Sequence, residues 1–406
     1  MHKERTKHNM KRSDLLFTSA LIMYILYTLL GESVIGYMIS SGGYKAIQIL
    51  VLILLLFKWV YYEKLTKKQL SILLFILGVA VVVALHSDYS SLLVTIVLII
   101  SARRVKFNRI VRTILFVSVA FSVSQFFLSQ IGIIEDYTFN RFIGGEYTEA
   151  HALGFKHYIF LGAFCMSLTM IYVYLRDNIT FFEMIILLAL NYYLYRLHTT
   201  RLAFLISVLF LICVYLSQKI RFSFASKMVR RIVALVPYIC FVGTWIILYL
   251  YSTKRFMLIN EIFSTTNARL SQSAIALGRY GITLFGRNIL QIGMTDTLYG
   301  SETSSSYIDS GYVFMLLGYG VVFSLIYLFL LSKVFVYLYE RKSIVMCLWF
   351  GAMLVASVVN NFLFDIVNNP ILFCIPASLL CRSRENSITF SKKRHAVPIQ
   401  TARPFS

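Results

Sequence analysis

Ala46-Ile47-Gln48-Ile49-Leu50-Val51-Leu52-Ile53-Leu54-Leu55-Leu56-Phe57 runs uncharged into Lys58, and beyond Lys64, Lys67 and Lys68 a second apolar run opens at Ile72-Leu73-Leu74-Phe75-Ile76-Leu77. Two apolar runs separated by a short cationic turn read as two helices crossing a bilayer. A span takes about 20 apolar residues, and Lys and Arg are pushed out to the interface. The same alternation continues along the whole chain, so the expected fold is all-α and polytopic, with about 12 transmembrane helices and a large outer loop containing short helices. The expected spans are 15–34, 45–62, 70–86, 88–102, 110–132, 156–175, 181–197, 201–217, 231–251, 311–332, 343–359 and 362–381. The fourth is the shortest, and a re-entrant segment is its alternative.

Composition supports this reading. Hydrophobic residues make up 58% of the chain and charged residues 14%, far from a soluble domain. The net charge of +21 would suit nucleic acid only if Lys and Arg gathered on one folded face, whereas here they alternate with apolar runs. Most of the 39 basic residues fall in segments that twelve spans place on the amino-terminal side, which is the positive-inside signature and favours keeping the fourth span. Both termini are then expected in the cytoplasm. Residues 1–14 form a basic amino terminus, 15–381 a single transmembrane domain with outer loops 132–155 and 252–310, and 382–406 a basic tail expected to be disordered. The first apolar run has no small-residue cleavage site and reads as a signal anchor. Cys165, Cys213, Cys240, Cys347, Cys374 and Cys381 lie in or beside apolar segments without metal-ligand spacing, so they are read as packing residues, with no metal site and no cofactor expected.

The outer segments carry the candidate chemistry. Basic residues assigned there are mostly arginine, whose planar fork of donors grips phosphate bidentately, so an anionic ligand is expected; anchoring to lipid headgroups is the alternative. The first loop reads Asn140-Arg141-Phe142-Ile143-Gly144-Gly145-Glu146-Tyr147-Thr148-Glu149 and continues through Ala152-Leu153-Gly154-Phe155-Lys156-His157. His157, at the start of the sixth span, is a candidate acid or base near neutral pH, or else a capping residue. Glu146 and Glu149 are further candidate bases. Arg201 follows Thr199-Thr200 at the edge of a span, where it either faces a wet cavity, pairs with an acid, or snorkels.

In the larger loop, Leu270, Ala274 and Leu277 suggest an amphipathic helix, with Arg269 at its start on the side away from that stripe. Arg279 and Arg287 follow, making a cluster suited to a lipid-borne phosphate at the membrane surface. The polar run Ser301 to Ser306 is a candidate lid. Asp309 precedes Ser310-Gly311-Tyr312 and is either a base, a partner for a cation, or a helix cap. Asp365, among Asn360, Asn361, Asn368 and Asn369, is expected to face protein or water.

Four stretches in order resemble the Wzy-type polysaccharide polymerase and O-antigen ligase superfamily of bacterial envelope enzymes. They are Arg141 with Leu153-Gly154-Phe155-Lys156-His157, Thr199-Thr200-Arg201-Leu202, Arg269-Leu270 with Leu284-Phe285-Gly286, and Asp309-Ser310-Gly311-Tyr312 with Gly318 and Gly320. Tyr158 and Ile159 stand where that family usually has Pro and Asn. The resemblance implies a plasma-membrane glycosyltransferase that polymerises undecaprenyl-pyrophosphate-linked oligosaccharide units into capsule or exopolysaccharide on the outer face, without a metal. It also implies Arg141, Arg201 and Arg269 as substrate-binding residues and His157, Asp309, Glu146 or Glu149 as catalytic ones; Arg279 and Arg287, by their clustering with Arg269, and Tyr312, by its place in the last stretch, are further substrate-binding candidates. A flippase and a chain-length regulator are the implied partners. Ligase-type glycan transfer shares the same chemistry, and a lipid-linked oligosaccharide flippase is the non-enzymatic alternative.

Overall fold

A computed structural model describes residues 2–63, 65–143, 145–220, 226–253, 267–298 and 306–380. The tail 382–406, nearly all of the candidate lid, and the stretch 254–266 of the large loop lie outside the described residues. In chain order the elements are α1 (His2–Gly31), α2 (Ser41–Tyr62), α3 (Lys67–Ser87), α4 (Ser90–Ser101), α5 (Phe107–Gln130), strands β1 (Thr138–Ile143) and β2 (Glu146–His151), α6 (Tyr158–Arg176), α7 (Phe181–His198) and α8 (Arg201–Lys219). They continue with α9 (Lys227–Ser252), α10 (Asn267–Tyr280), α11 (Met294–Leu298), α12 (Gly311–Glu340), α13 (Ile344–Ala356) and α14 (Ile375–Leu380).

Among the described residues eight helices, α1, α2, α3, α5, α6, α8, α9 and α12, are long and apolar enough to cross a membrane. Their outward faces expose Ile49, Phe75, Phe116, Leu205 and Ile239, surface that lipid accommodates and water does not. Helix α12 is the centre of the bundle. It is apolar on every side and buries Tyr312, Met315, Leu317, Tyr327, Leu331 and Val334.

The four other expected spans depart from the pattern. Helices α4 and α13 are short, and α7 carries Glu183, Asn191, Arg196 and several tyrosines along its length. Short as it is, α4 runs between the two ends of the bundle: Tyr89 before it meets Ile289, and Ser101 at its finish accepts a hydrogen bond from Trp59 Nε1 at 2.7 Å. The last expected span, 362–381, is helical only from Pro370 onward. Before it, Asp365 folds the chain into a turn, its carboxylate accepting from the Val367 and Asn368 amides at 3.0 Å and from Asn368 Nδ2 at 2.6 Å. Asp365 thus faces protein.

Loop 132–155 is not purely irregular. It contains an antiparallel hairpin in register Arg141↔Thr148 and Ile143↔Glu146, which an all-α reading omits. Thr-Phe-Asn-Arg-Phe-Ile and Glu-Tyr-Thr-Glu-Ala-His flank a Gly-Gly pair, with Gly145 at φ +95, the turn chemistry a two-residue hairpin requires.

One further device shapes the core. Helix α12 breaks at Gly320 (φ 83, ψ 174), and the freed amides of Val321 and Val322 donate to Thr283 O and Leu284 O at 3.0 and 3.1 Å. Residues 283–286 therefore lie against the break as a substitute turn. Gly286, at φ +83, and Gly320 cross backbone to backbone. A Cβ on Gly320 would stand 2.4 Å from Gly286 N, and one on Gly286 would stand 2.0 Å from Gly318 O.

Candidate functional site

One end of the bundle, the hairpin end, collects the ends of α1, α3, α5 and α7 and the starts of α6, α8 and α12. Strand alternation aims the hairpin's side chains. Phe139 and Ala150, opposite one another, are buried, so Arg141 and Thr148, two places along the same face, also turn toward the bundle. Glu149 and Tyr147 turn outward.

Arg141 Nη1 donates to the carbonyl of Thr199 at 3.1 Å, and its guanidinium lies over the Tyr158 ring at 5.2 Å. The acceptor is presented by a tight turn between α7 and α8, where Thr199 has φ 51. That turn packs so closely on Gly162 of α6 that a Cβ there would stand 2.7 Å from Thr200. Hairpin, turn and helix are thereby fixed relative to one another.

His157 is the N-cap of α6. Its Nδ1 accepts from the Ile159 amide at 3.2 Å, so Nε2 carries the proton, and its ring packs against Phe139 and Tyr158. Burial, then the positive charges of Arg141 and Arg269, push its pKa down to about 3. Of the readings drawn from sequence, the capping one is realised. His157 is a neutral imidazole held as an Nε2 donor, and it is poorly suited to accept a proton near neutral pH.

Arg269 belongs to the same cluster. Its Nε is 3.1 Å from Asp309 Oδ2, and Nη1 donates to Asn360 Oδ1 at 3.0 Å and Val359 O at 3.3 Å. On α10 it shares a face with buried Ser273 and Ala276, at i, i+4 and i+7, so it points into the protein and not away from the packed side as expected. Asp309 does not cap α12; Ser310 does, its side chain accepting from the Val313 amide. Burial raises the Asp309 pKa above the ordinary carboxylate range, and Arg269 opposes the rise. His157 and Tyr158 both feel the charges of Arg141 and Arg269, and Tyr158 also that of Asp309. The four chemical groups converge on the first turn of α6, with a positive excess.

The other candidates lie elsewhere. Arg201 is exposed and has no acid partner among the described residues. Glu146 and Glu149 are exposed on β2. Arg287 is exposed, and Arg279 is exposed with its guanidinium over its neighbour Tyr280. Tyr312 corrects an expectation outright. It is 0% exposed, its hydroxyl bonded to Leu354 O at 3.2 Å, so it is a core residue out of reach of a ligand. Its position at i+3 from Asp309 faces the bundle axis because α12 is central.

Sequence reading missed a second charged group beside the first. Glu32, just past α1, has its carbonyl bonded by the Lys156 amide at 2.8 Å. Burial, with the neighbouring charge of Asp365, pushes its carboxyl up to about 8 against the pull of Lys156. Lys156 Nζ sits over the Tyr37 ring at 4.1 Å, Tyr37 donates to Asp296, and Thr295 donates to Lys156 O at 2.6 Å. A lone acid ending an apolar run was the available signal. Asp136 escaped as well: it binds His151 Nδ1 at 2.8 Å and the Leu153 amide at 2.6 Å, pinning the hairpin base to the turn ahead of His157.

Beside Arg269 a narrow cleft runs between α9, α10 and α12, lined by Thr244, Leu248, Leu270, Ser273, Val313 and Val359. A guanidinium among the lining of an apolar cleft suits an amphiphile with an anionic head. No family model matches this chain, and no curated protein or solved structure matches it either.

Proposed function

We propose that this protein is a membrane glycosyltransferase acting on a lipid-pyrophosphate-linked glycan, polymerising oligosaccharide units at the membrane face where the hairpin lies. The observation that carries the reading is the convergence of Arg141, Arg269, His157 and Asp309 on the first turn of α6, at one end of a bundle with eight helices able to cross a membrane. In this reading α4, α7, α13 and the segment ending in α14 complete twelve passes. The basic ends, including Lys58, Arg103, Arg109 and Arg230, then face the cytoplasm, and the hairpin end faces outward.

Arg141 and Arg269 hold the donor's pyrophosphate, whose charge grows as the bond breaks, and the neutral Nε2–H of His157 adds a donor. An acceptor sugar hydroxyl attacks the anomeric carbon. The new glycosidic C–O bond forms as the C–O bond to pyrophosphate breaks, and that electron pair leaves on the pyrophosphate oxygen. The hydroxyl proton goes to Asp309, the carboxylate nearest the cluster, whose raised basicity suits the task. Glu146 and Glu149, outside the cluster, are not needed for this step. The apolar cleft beside Arg269 receives the first part of the lipid chain.

The test is purified protein in lipid with pyrophosphate-linked oligosaccharide, read on a gel. A ladder that grows with wild type and is lost in Arg141→Ala, Arg269→Ala and Asp309→Asn supports the reading. Transfer of one unit without a ladder would assign a ligase. Movement of the intact lipid across the bilayer without transfer would overturn the proposal in favour of a flippase.

A further inference from the structure

At the end of the bundle opposite the hairpin, a cavity of about 440 Å3 opens between α1 and the first turns of α5. Its rim is cationic: Lys106, Arg109 and Arg112 all line it. Arg109 is ion-paired with Asp14, whereas Lys106 and Arg112 are exposed and have no acid partner among the described residues. Asn108 completes the rim. The Tyr174 hydroxyl donates to its Oδ1 at 2.6 Å, which leaves its NH2 as a donor without a partner among the described residues.

The floor is different in kind. Phe116 and Val117 lie at i+7 and i+8 from Arg109, on the same helical face and about 10 Å further along the axis. Ile22 of α1 closes the other side, and Phe116 is 77% exposed. Cations and an amide at one level, with an exposed aromatic ring and half-buried aliphatic surface one to two turns deeper, match the layering of a phospholipid. A free inorganic anion would use the rim and leave the apolar floor uncovered.

We infer that this cavity binds an anionic phospholipid, its headgroup phosphate held by Lys106, Arg112 and Asn108 and an acyl chain laid along Phe116 and Val117. Arg109, neutralised by Asp14, shapes the rim and locks α1 to α5. The site lies at the other end of the molecule from the Arg141–Arg269 cluster and does not depend on the glycosyltransferase reading.

The experiment titrates the full chain in neutral detergent with phosphatidylglycerol, phosphatidylcholine or inorganic phosphate and counts bound lipid by native mass spectrometry. Phosphatidylglycerol should bind in preference to phosphatidylcholine and resist displacement by inorganic phosphate. Removing two surface cations in Lys106→Gln/Arg112→Gln should weaken its retention about 30-fold, while Arg112→Lys retains most of it. Phe116→Gln, at an exposed position, reads the same site from its apolar side and should also release lipid, which keeps the test open if the double variant does not fold. Equal retention by these variants, or equal binding of phosphatidylcholine, would overturn the proposal. Displacement by inorganic phosphate would overturn it too, in favour of a free-anion site.

Discussion

Arg269 on α10 and Asp309 before α12 form an ion pair of 3.1 Å whose two members are each about three-quarters covered, with side-chain exposures of 26% and 22%. The pair ties the large loop to the central helix. It also sets up a conflict of needs. Arg269 favours the ionised form of Asp309 and burial the neutral form, and in the proposed reaction an incoming phosphate competes with Asp309 for the guanidinium.

That competition makes Arg269 sensitive to conservative change. Glycan transfer should fall about 100- to 1,000-fold in Arg269→Ala, the usual loss for one charge-stabilising donor. Arg269→Lys should recover little, because one ammonium cannot span Asp309, Asn360 and Val359 together. Initial rates on a lipid-linked donor decide this; a Lys variant at wild-type rate would show that only the charge matters.

If Asp309 is the base of the proposed transfer, activity should rise with pH through a carboxylate pKa above the ordinary range, since the carboxylate accepts a proton only when ionised and its pKa is raised. Asp309→Asn should remove that limb of the profile. If the limb persists in the variant, another group is the base.

His157 should show no titration by imidazole NMR between pH 8 and pH 4, because its pKa lies near 3. Its folded pKa is depressed below the unfolded value of about 6.5, so its contribution to stability is full above pH 6.5 and is lost progressively as pH falls toward 3. Thermal melts of His157→Gln should show a shallower loss over that window. A His157 signal titrating near pH 6.5 would refute the neutral-donor assignment.

Glu32 has the opposite sign. Its folded pKa, near 8, is raised above the unfolded value, so its stability contribution is present below about pH 4.5 and is lost as pH rises through 8. Glu32→Gln should flatten melting temperature between those limits and leave the protein at least as stable at pH 8. A variant that is much less stable at pH 8 would mean that the ionised carboxylate is needed for folding.

Gly320→Ala should cost about 3 kcal/mol or more, because φ +83 disfavours any side chain and the new Cβ would press on Gly286 N at 2.4 Å. Melting of the purified variant measures it, and a loss below about 1 kcal/mol would mean that residues 283–286 can withdraw from the break.

The apolar runs, their cationic flanks and the turn residues were legible because they are local: hydropathy over about 20 residues decides a span, and Gly-Gly between alternating segments decides a hairpin. The hairpin is the weaker of these signals, because its strands are short and flanked by loop. Arg141, Arg269, His157 and Asp309 could be named as candidates from residue type, but nothing local separates them from Arg201, Arg279, Arg287, Glu146 or Glu149. Position relative to the first turn of α6 does so, and that depends on contacts between residues far apart in the chain, such as Arg141 with Thr199 and Arg269 with Asn360. Protonation is equally non-local. The imidazole of His157 is neutral, and the carboxyl of Glu32 is poorly acidic, because of charges and burial supplied by other elements. Tyr312, which in sequence stands only three residues beyond Asp309, belongs to the core because the tertiary fold places the first part of α12, Gly311 to Gly320, at the centre of the bundle, where every residue is buried.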